Sequence, residues 1–253
     1  MKRVAAHTGL AIVVPVLLIV LWWFGSAGST SFYFPPLQKI MQVFTKLWVF
    51  DLIPVHVVPS LEAIGIGLGV SIVLGIGIGV ALGLSPFLSS MTSPVLQFLR
   101  YLPAVALLPL AIQLIGIGIW MRVTIIVLGA IWPILLNTMD GVRALNPSYR
   151  DVAKSTRIRR RDWIFRIVLP AASPQIFSGI RASLAVSVVL MVASELLGSS
   201  AGIGYFILES QRQFSIPEMW SGMVLLGIIG YLLNVIFAII EHGVLAWHRK
   251  SRA

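Results

Sequence analysis

Apolar residues run through this chain in long blocks, not in strict alternation or narrow stripes. Six blocks, roughly 8–28, 61–83, 95–115, 120–141, 172–196 and 219–244, reach the length of about 20 mostly apolar residues that a helix needs to cross a hydrocarbon core. The pattern predicts an all-α integral membrane protein with about six transmembrane helices. The first block follows Lys2 and Arg3 and ends in Gly25-Ser26-Ala27, as a cleavable leader does, but its apolar run is long enough to be kept as an anchor. After it, Phe34-Pro35-Pro36 breaks the chain. LQKIMQVFTKLW then sets Leu37, Ile40, Met41, Phe44 and Leu47 or Trp48 at helical spacing, which predicts an amphipathic helix at the outer interface.

Composition agrees with lipid as the solvent. The chain is 58% hydrophobic and 11% charged, against about a quarter charged in soluble domains, and its mean hydropathy is +0.94. No polar stretch is long enough to fold alone, so residues 1–253 form one membrane domain. The net charge of +10 is gathered at Lys2 and Arg3, between Arg143 and Arg166, and at Arg249, Lys250 and Arg252. Such clustering marks cytoplasmic loops beside spans, not a nucleic-acid-binding face. Six crossings with the N-terminus inside put all three clusters on the cytoplasmic side.

Several chemistries lack their residues. There is no cysteine, no G-x-x-x-x-G-K-[ST], no H-E-x-x-H and no G-x-S-x-G, so no metal site, cofactor site or catalytic constellation is expected. The glycines at 65, 67, 69, 75, 77, 79 and 83 form small-xxx-small pairs such as Gly65/Gly69, Gly75/Gly79 and Gly79/Gly83, which predict close helix packing. Glu62, Glu195 and Glu241 fall near span ends, and Arg100, about six residues into the third block, can snorkel to the cytoplasmic surface. Pro103, Pro109 and Pro133 interrupt the third and fourth blocks, either as packing kinks or as breaks lining a cavity. Gln113, Asn137, Glu195 and Tyr205 are the polar candidates for a translocation path.

The loop 142–170 is the informative segment. It holds eight basic residues against Asp151 and Asp162. Burying them in lipid at about 3 kcal/mol each would cost on the order of 24 kcal/mol, so the loop lies outside the membrane. Asn146-Pro147 forms an N-cap and N1 pair, followed by an apolar stripe of Tyr149, Val152, Ala153 and Thr156 beside a basic one of Arg150, Lys154 and Arg157. Such a helix suits docking into a partner's groove, with a basic helix held on anionic lipid as the competing reading.

These residues resemble the cytoplasmic signature of inner-membrane permeases of binding-protein-dependent ABC importers, E-A-A-x-x-x-G followed after nine residues by I-x-L-P. Asp151-Val152-Ala153 stands at its start and Ile167-Val168-Leu169-Pro170 at its end, with Arg157 where the signature has glycine. FPPLQKIMQVF, RYLPAVALLPLAIQLIGIG and ASELLGSSAGIGYFI are similar to stretches of the nitrate/sulfonate/taurine branch.

The resemblance implies the type I (MetI-like) permease fold and a chain that binds no cofactor itself. ATP and magnesium would be used by separate ATPase subunits docked at the coupling loop, through Tyr149, Asp151, Val152, Ala153, Lys154, Arg157, Ile167, Leu169 and Pro170. It further implies a second permease copy, in the form of a homodimer, an extracytoplasmic substrate-binding protein, and a place in a bacterial inner membrane with both termini cytoplasmic. The competing expectation is a secondary carrier or channel that runs without ATP.

Overall fold

The computed structural model describes residues 2–49 and 52–247, with the side chains of 2–12, Arg150 and Lys154 left aside. The basic tail at Arg249, Lys250 and Arg252 and the side chains of Lys2 and Arg3 therefore lie outside the described residues. Eleven helices follow one another in the described part: α1 (Lys2–Ser26), α2 (Leu37–Trp48), α3 (Val58–Leu84), α4 (Pro86–Tyr101), α5 (Leu108–Ile115), α6 (Ile119–Arg143), α7 (Pro147–Ser155), the single turn α8 (Arg160–Asp162), α9 (Leu169–Gly198), α10 (Ile203–Arg212) and α11 (Ile216–Val244). A π-helical turn at Ile53–Val57 leads into α3, and another at Trp163–Val168 joins α8 to α9. Four continuous helical stretches, Ile53–Leu84, Ile119–Arg143, Arg160–Gly198 and Ile216–Val244, are long and apolar enough to cross a membrane.

The third expected span is two helices. α4 begins at Pro86, well before the expected boundary, and the chain bends by 78° between Pro86–Tyr101 and Ala104–Ile115. Pro103 causes the break. A residue before proline is pushed out of the helical region, and Leu102 (ψ 118) and Pro103 (ψ 115) are both extended. Pro109 sits in the first turn of α5, where its missing N–H is harmless, and Pro133 is carried inside α6 without a break. Arg100 consequently stands near the far end of α4, beside the bend, and not in the first turns of a span.

The centre of the bundle is α3, α6 and α9. A Cβ built on Gly67, Gly75, Gly79 or Gly83 would fall within 3 Å of Ile126, Ile134, Leu135 with Thr138, or Val142 respectively. Those partners advance with the glycines, so α3 and α6 run parallel, and α4 with α5 must return the chain between them. Across α6, Gly141 meets Ala172 and Gln175, Gly179 meets Pro133 and Asn137, and Gly198 meets Met121, so α9 is antiparallel. The packing stripe is thus Gly67, Ser71, Gly75, Gly79 and Gly83, with buried Ser71 completing its four-residue spacing. Gly65, Gly69 and Gly77 have nothing within 4 Å, so the expected Gly65/Gly69 pair makes no close helix contact here.

The amphipathic segment is a helix, as its spacing predicts, but its apolar face is covered by protein. Ile40 is fully buried, and Trp48 packs with Val57, Ile203, Ile207 and Leu225 while its Nε1 donates to Ser221 Oγ at 3.1 Å. An indole N–H needs such a partner when buried, which draws α2 onto the bundle and away from a purely interfacial position.

The glycine stripe makes a directional prediction. Gly79→Ala should lower the thermal stability of the purified chain in detergent by about 1–3 kcal/mol through overpacking against α6. Gly77→Ala, on the open side of the same helix, should be neutral or stabilising by up to about 1 kcal/mol.

Candidate functional site

The basic loop leaves the bundle at the end of α6. Asn146 caps α7 as expected: its Oδ1 accepts the Ser148 N–H at 3.0 Å, and its carbonyl accepts the Tyr149 N–H at 3.0 Å. Tyr149 and Val152 are 56% and 58% exposed, so most of the apolar stripe of α7 is left uncovered by the described chain. Ala153 on the same stripe is half-buried, and the side chain of Lys154 lies outside the described residues.

The helix ends in a left-handed turn. Ile158 N–H donates to the Ala153 carbonyl at 3.1 Å, the six-to-one bond of a Schellman motif, and Arg157 occupies the left-handed position with φ 49. The turn keeps the geometry that suits glycine although an arginine holds it. The strain is accepted locally, at about 1–2 kcal/mol.

Beyond the turn the loop is anchored. Trp163, Ile164 and Leu169 pack against a core of Val80, Ile134, Val142, Val168 and Ala172. A cavity of about 180 Å³ between the root of α7 and this anchor is lined by Asp151, Asn146, Pro147, Leu145, Trp163, Val142 and Arg143. Ile167 is half-buried, whereas Phe165 stays 63% exposed. A short helix with an unpartnered apolar face is therefore mounted on a root continuous with α6 and α9.

A second constellation lies at the other end of these helices, where α3 and α6 begin and α9 ends. Glu195 is 1% exposed and Arg122 6%. The Arg122 Nη1 donates to Glu195 Oε1 at 3.1 Å, Ser60 Oγ donates to the same oxygen at 2.7 Å, and the Gly204 N–H donates to Oε2 at 2.9 Å. Ser60 Oγ also accepts the Ile203 N–H at 3.0 Å, and His56 Nδ1 accepts the Gly202 N–H at 3.3 Å. Gly202 has φ +118, and a Cβ there would meet Glu195 Cδ at 2.3 Å, so both its backbone angle and its surroundings require glycine. One carboxylate thus fastens α3, α6, α9 and α10 together.

The four polar path candidates are dispersed. Glu195 sits in this latch, and Tyr205 stacks on His56 beside it, with ring centroids 6.2 Å apart. Asn137 packs towards the α7 end, where its amide donates to the Pro133 carbonyl at 2.8 Å. Gln113 is exposed on α5. Arg122, Ser60 and His56 escaped the sequence reading. The signal available was an arginine just inside an apolar block, Met121-Arg122-Val123, which needs an acid at matching depth.

Comparison with known proteins follows this geometry. Residues 71–244 match the family described as binding-protein-dependent transport system inner membrane component. A nitrate import permease protein of Synechocystis sp. (strain ATCC 27184 / PCC 6803 / Kazusa) is 30% identical over 95% of this chain and 90% of its own length. A Bacillus subtilis (strain 168) permease protein named for aliphatic sulfonates transport is 29% identical over 98% of this chain and 90% of its own. A chain of the MetNI methionine ABC transporter, seen in inward-facing conformations, superposes with a TM-score of 0.66 at 17% identity, covering 82% of this chain and 98% of that one, which shows a common fold.

Two outcomes test the two ends. Glu195→Ala leaves Arg122 charged and buried, and should cost about 3–5 kcal/mol in thermal unfolding, with part recovered when Arg122→Met is added. Arg157→Gly should instead stabilise by about 0.5–1 kcal/mol in the same assay, since relief of about 1–2 kcal/mol of left-handed strain exceeds the backbone-entropy cost of glycine.

Proposed function

The chain belongs to the family of binding-protein-dependent transport system inner membrane components, the permeases of ABC importers in the branch of nitrate and sulfonate transport, and we propose that it lines a translocation path for a small anion and couples that path to a separate ATPase. Nitrate and aliphatic sulfonates, for which the two relatives are named, are both small oxyanions. The observation that carries the coupling is α7, whose exposed Tyr149 and Val152 stand on a root packed into the core.

In this reading the loop 142–170 lies in the cytoplasm of a bacterial cell with both termini, and the whole chain is one membrane domain. Two ATPase subunits supply ATP chemistry with magnesium, this chain contributing no catalytic residue. Docking involves Tyr149, Asp151, Val152, Ala153, Lys154 and Arg157, while Ile167, Leu169 and Pro170 hold the far side of the loop to α9. A second copy of the permease completes the path, and an extracytoplasmic binding protein delivers the solute to the end bearing the Glu195 latch. Closure of the ATPases moves α7 as a lever. Because its root is shared with α6 and α9, displacement there reaches the latch through rigid helices, the two-state linkage that coupling requires. Of the path candidates, Gln113, Asn137 and Tyr205 remain assigned to the route, and Glu195 acts through the latch that closes it. A carrier or channel independent of ATP has no use for a docking helix and does not fit the family.

Coupling has a direct test. In the complex reconstituted with its ATPase and binding protein, Ala153→Asp places an uncompensated charge in the docking face and should abolish most substrate-stimulated ATP hydrolysis while the helices still insert. Lys154→Ser should change it little, since an exposed ion pair is worth about 0–1 kcal/mol. The reverse ranking would assign α7 to the lipid surface.

A further inference from the structure

α4 carries a polar stripe that neither the docking helix nor the latch uses. Ser89, Ser93, Gln97 and Arg100 recur at three- and four-residue spacing and so share one face of the helix. That face meets α6 across a cavity of about 360 Å³, whose opposite wall runs from Trp132 to Arg143. The near end is tied by Arg143 Nη2, which donates to Ser89 Oγ. Gln97 Nε2 donates to Ser93 Oγ at 3.2 Å, which leaves its second amide hydrogen uncommitted.

Depth gives the stripe its meaning. Trp132 lies halfway along α6, and Arg143 ends it. At 1.5 Å per residue the two are about 16 Å apart along the axis, farther than one arginine side chain can snorkel. Arg100, which lines the cavity with Trp132, is therefore a cation near the middle of the bundle's length. No carboxylate lines the cavity. Gln97, Arg100 and Tyr101 are exposed on the chain by itself, so the cavity is open on this side, and among the described residues the Arg100 guanidinium meets the Tyr101 hydroxyl, to which Nη2 donates at 3.3 Å, and the Tyr101 ring, with its centroid at 5.1 Å. An arginine held at such depth is costly, and ionisable groups kept there mark solute routes.

We propose that Arg100, with the Gln97 amide and the Tyr101 hydroxyl, forms a midway station for a small oxyanion, and that Arg143 with Ser89 forms the next step towards the α7 end. The proposal rests on the anion-permease reading and names its site. A guanidinium presents paired N–H donors in one plane, which match two oxygens of a nitrate-, sulfonate- or bicarbonate-like anion. The cavity corresponds to about a dozen waters of liquid volume, so the anion keeps part of its hydration. Two cations at separate levels of one cavity, Arg100 and Arg143, provide successive sites, each binding strongly enough to admit an anion and weakly enough to release it.

The test uses the whole complex, permease with its ATPase and binding protein, in proteoliposomes supplied with labelled nitrate, methanesulfonate or bicarbonate. Arg100→Gln is expected to slow uptake about tenfold or more, with Arg100→Lys intermediate because it keeps charge but loses the fork. Thermal stability separates this role from a structural one. Loss of an unpaired mid-bundle cation should leave the melting temperature unchanged or raised, whereas an arginine needed for packing would lower it together with transport, and that result overturns the station. Should Arg100→Gln fail to assemble, Gln97→Leu carries the same test with a several-fold loss expected, and unchanged uptake refutes the proposal. If wild type moves none of the three anions but imports another solute, the anion reading fails, and equal import of that solute by Arg100→Gln removes the station as well. A lipid phosphate as the true occupant would appear as a phospholipid retained by wild type and lost from Arg100→Gln in native mass spectrometry, with equal anion uptake by both, and would also overturn the proposal.

Discussion

The buried pair of Arg122 and Glu195 is the constraint on which the arrangement of this chain depends. Two charges removed from water are tolerated only when each finds the other and the remaining polar positions are filled. Here Ser60 and Gly204 fill those of the Glu195 carboxylate, which so collects groups from α3, α6, α9 and α10, while the Arg122 Nε is buried without a hydrogen-bond partner among the described residues. Separating any of these helices at that end would leave an ion unpaired in a low-dielectric setting. The latch therefore either holds as a unit or opens as a unit, which is the behaviour a gate at one end of a transport path needs.

Between the latch and the loop, stiffness comes from backbone proximity. Hydrocarbon chains solvate leucine as well as another helix does, so helices in lipid associate by close contact and not by hydrophobic exclusion. Gly67, Gly75, Gly79 and Gly83 give α3 a flat face on which the branched side chains of α6 rest, and Gly129, Gly141, Gly179 and Gly198 play the corresponding part between α6 and α9. A bundle packed this way has little slack. In the proposed coupling, these close contacts link Val142 and Ala172, beside the root of α7, to Met121 and Gly198, beside the latch, through helices in direct backbone contact.

Much of this was legible in the residues, and what was not had identifiable causes. Block length located the apolar segments, and Asn146-Pro147 located the start of α7, because both are local properties. Arg157 in the glycine position left open whether the turn is left-handed or rebuilt around arginine, and the chain keeps the left-handed turn at the expense of strain. The third span was misplaced because hydropathy averages over Pro103: the leading part of α4, Pro86 to Pro94, is rich in serine and threonine and reads as a loop until its helical spacing is noticed. Of the expected glycine pairs, Gly75/Gly79 and Gly79/Gly83 face α6 and Gly65/Gly69 does not, because spacing alone cannot tell which of two interleaved series, 65–69 or 67–71–75–79–83, faces a neighbour. Only the second contains a serine able to donate back to its own helix, as Ser71 does to the Gly67 carbonyl at 2.8 Å. The latch escaped because Arg122 and Ser60 lie 73 and 135 residues from Glu195 and because an arginine in an apolar block means little until its acid is known.

The excess of positive charge then divides into three uses that position alone distinguishes. In the loop, cations surround a helix whose apolar face is bare, and fix it outside the membrane. At the far end, Arg122 is consumed by Glu195, and along the side of the bundle Arg181 is consumed by Glu241, so both serve helix association. Arg100 belongs to neither group, and Arg143, the first cation of the loop, is tied to Ser89 of α4. Both line one cavity between α4 and α6 together with Ser89, Ser93 and Gln97, and Arg100 reaches its depth because α4 runs unbroken from Pro86 to Tyr101 before the chain bends. Pro103, the residue that spoils the hydropathy reading, ends α4 just beyond Arg100, so this cation stands beside the bend and not within a continuing span.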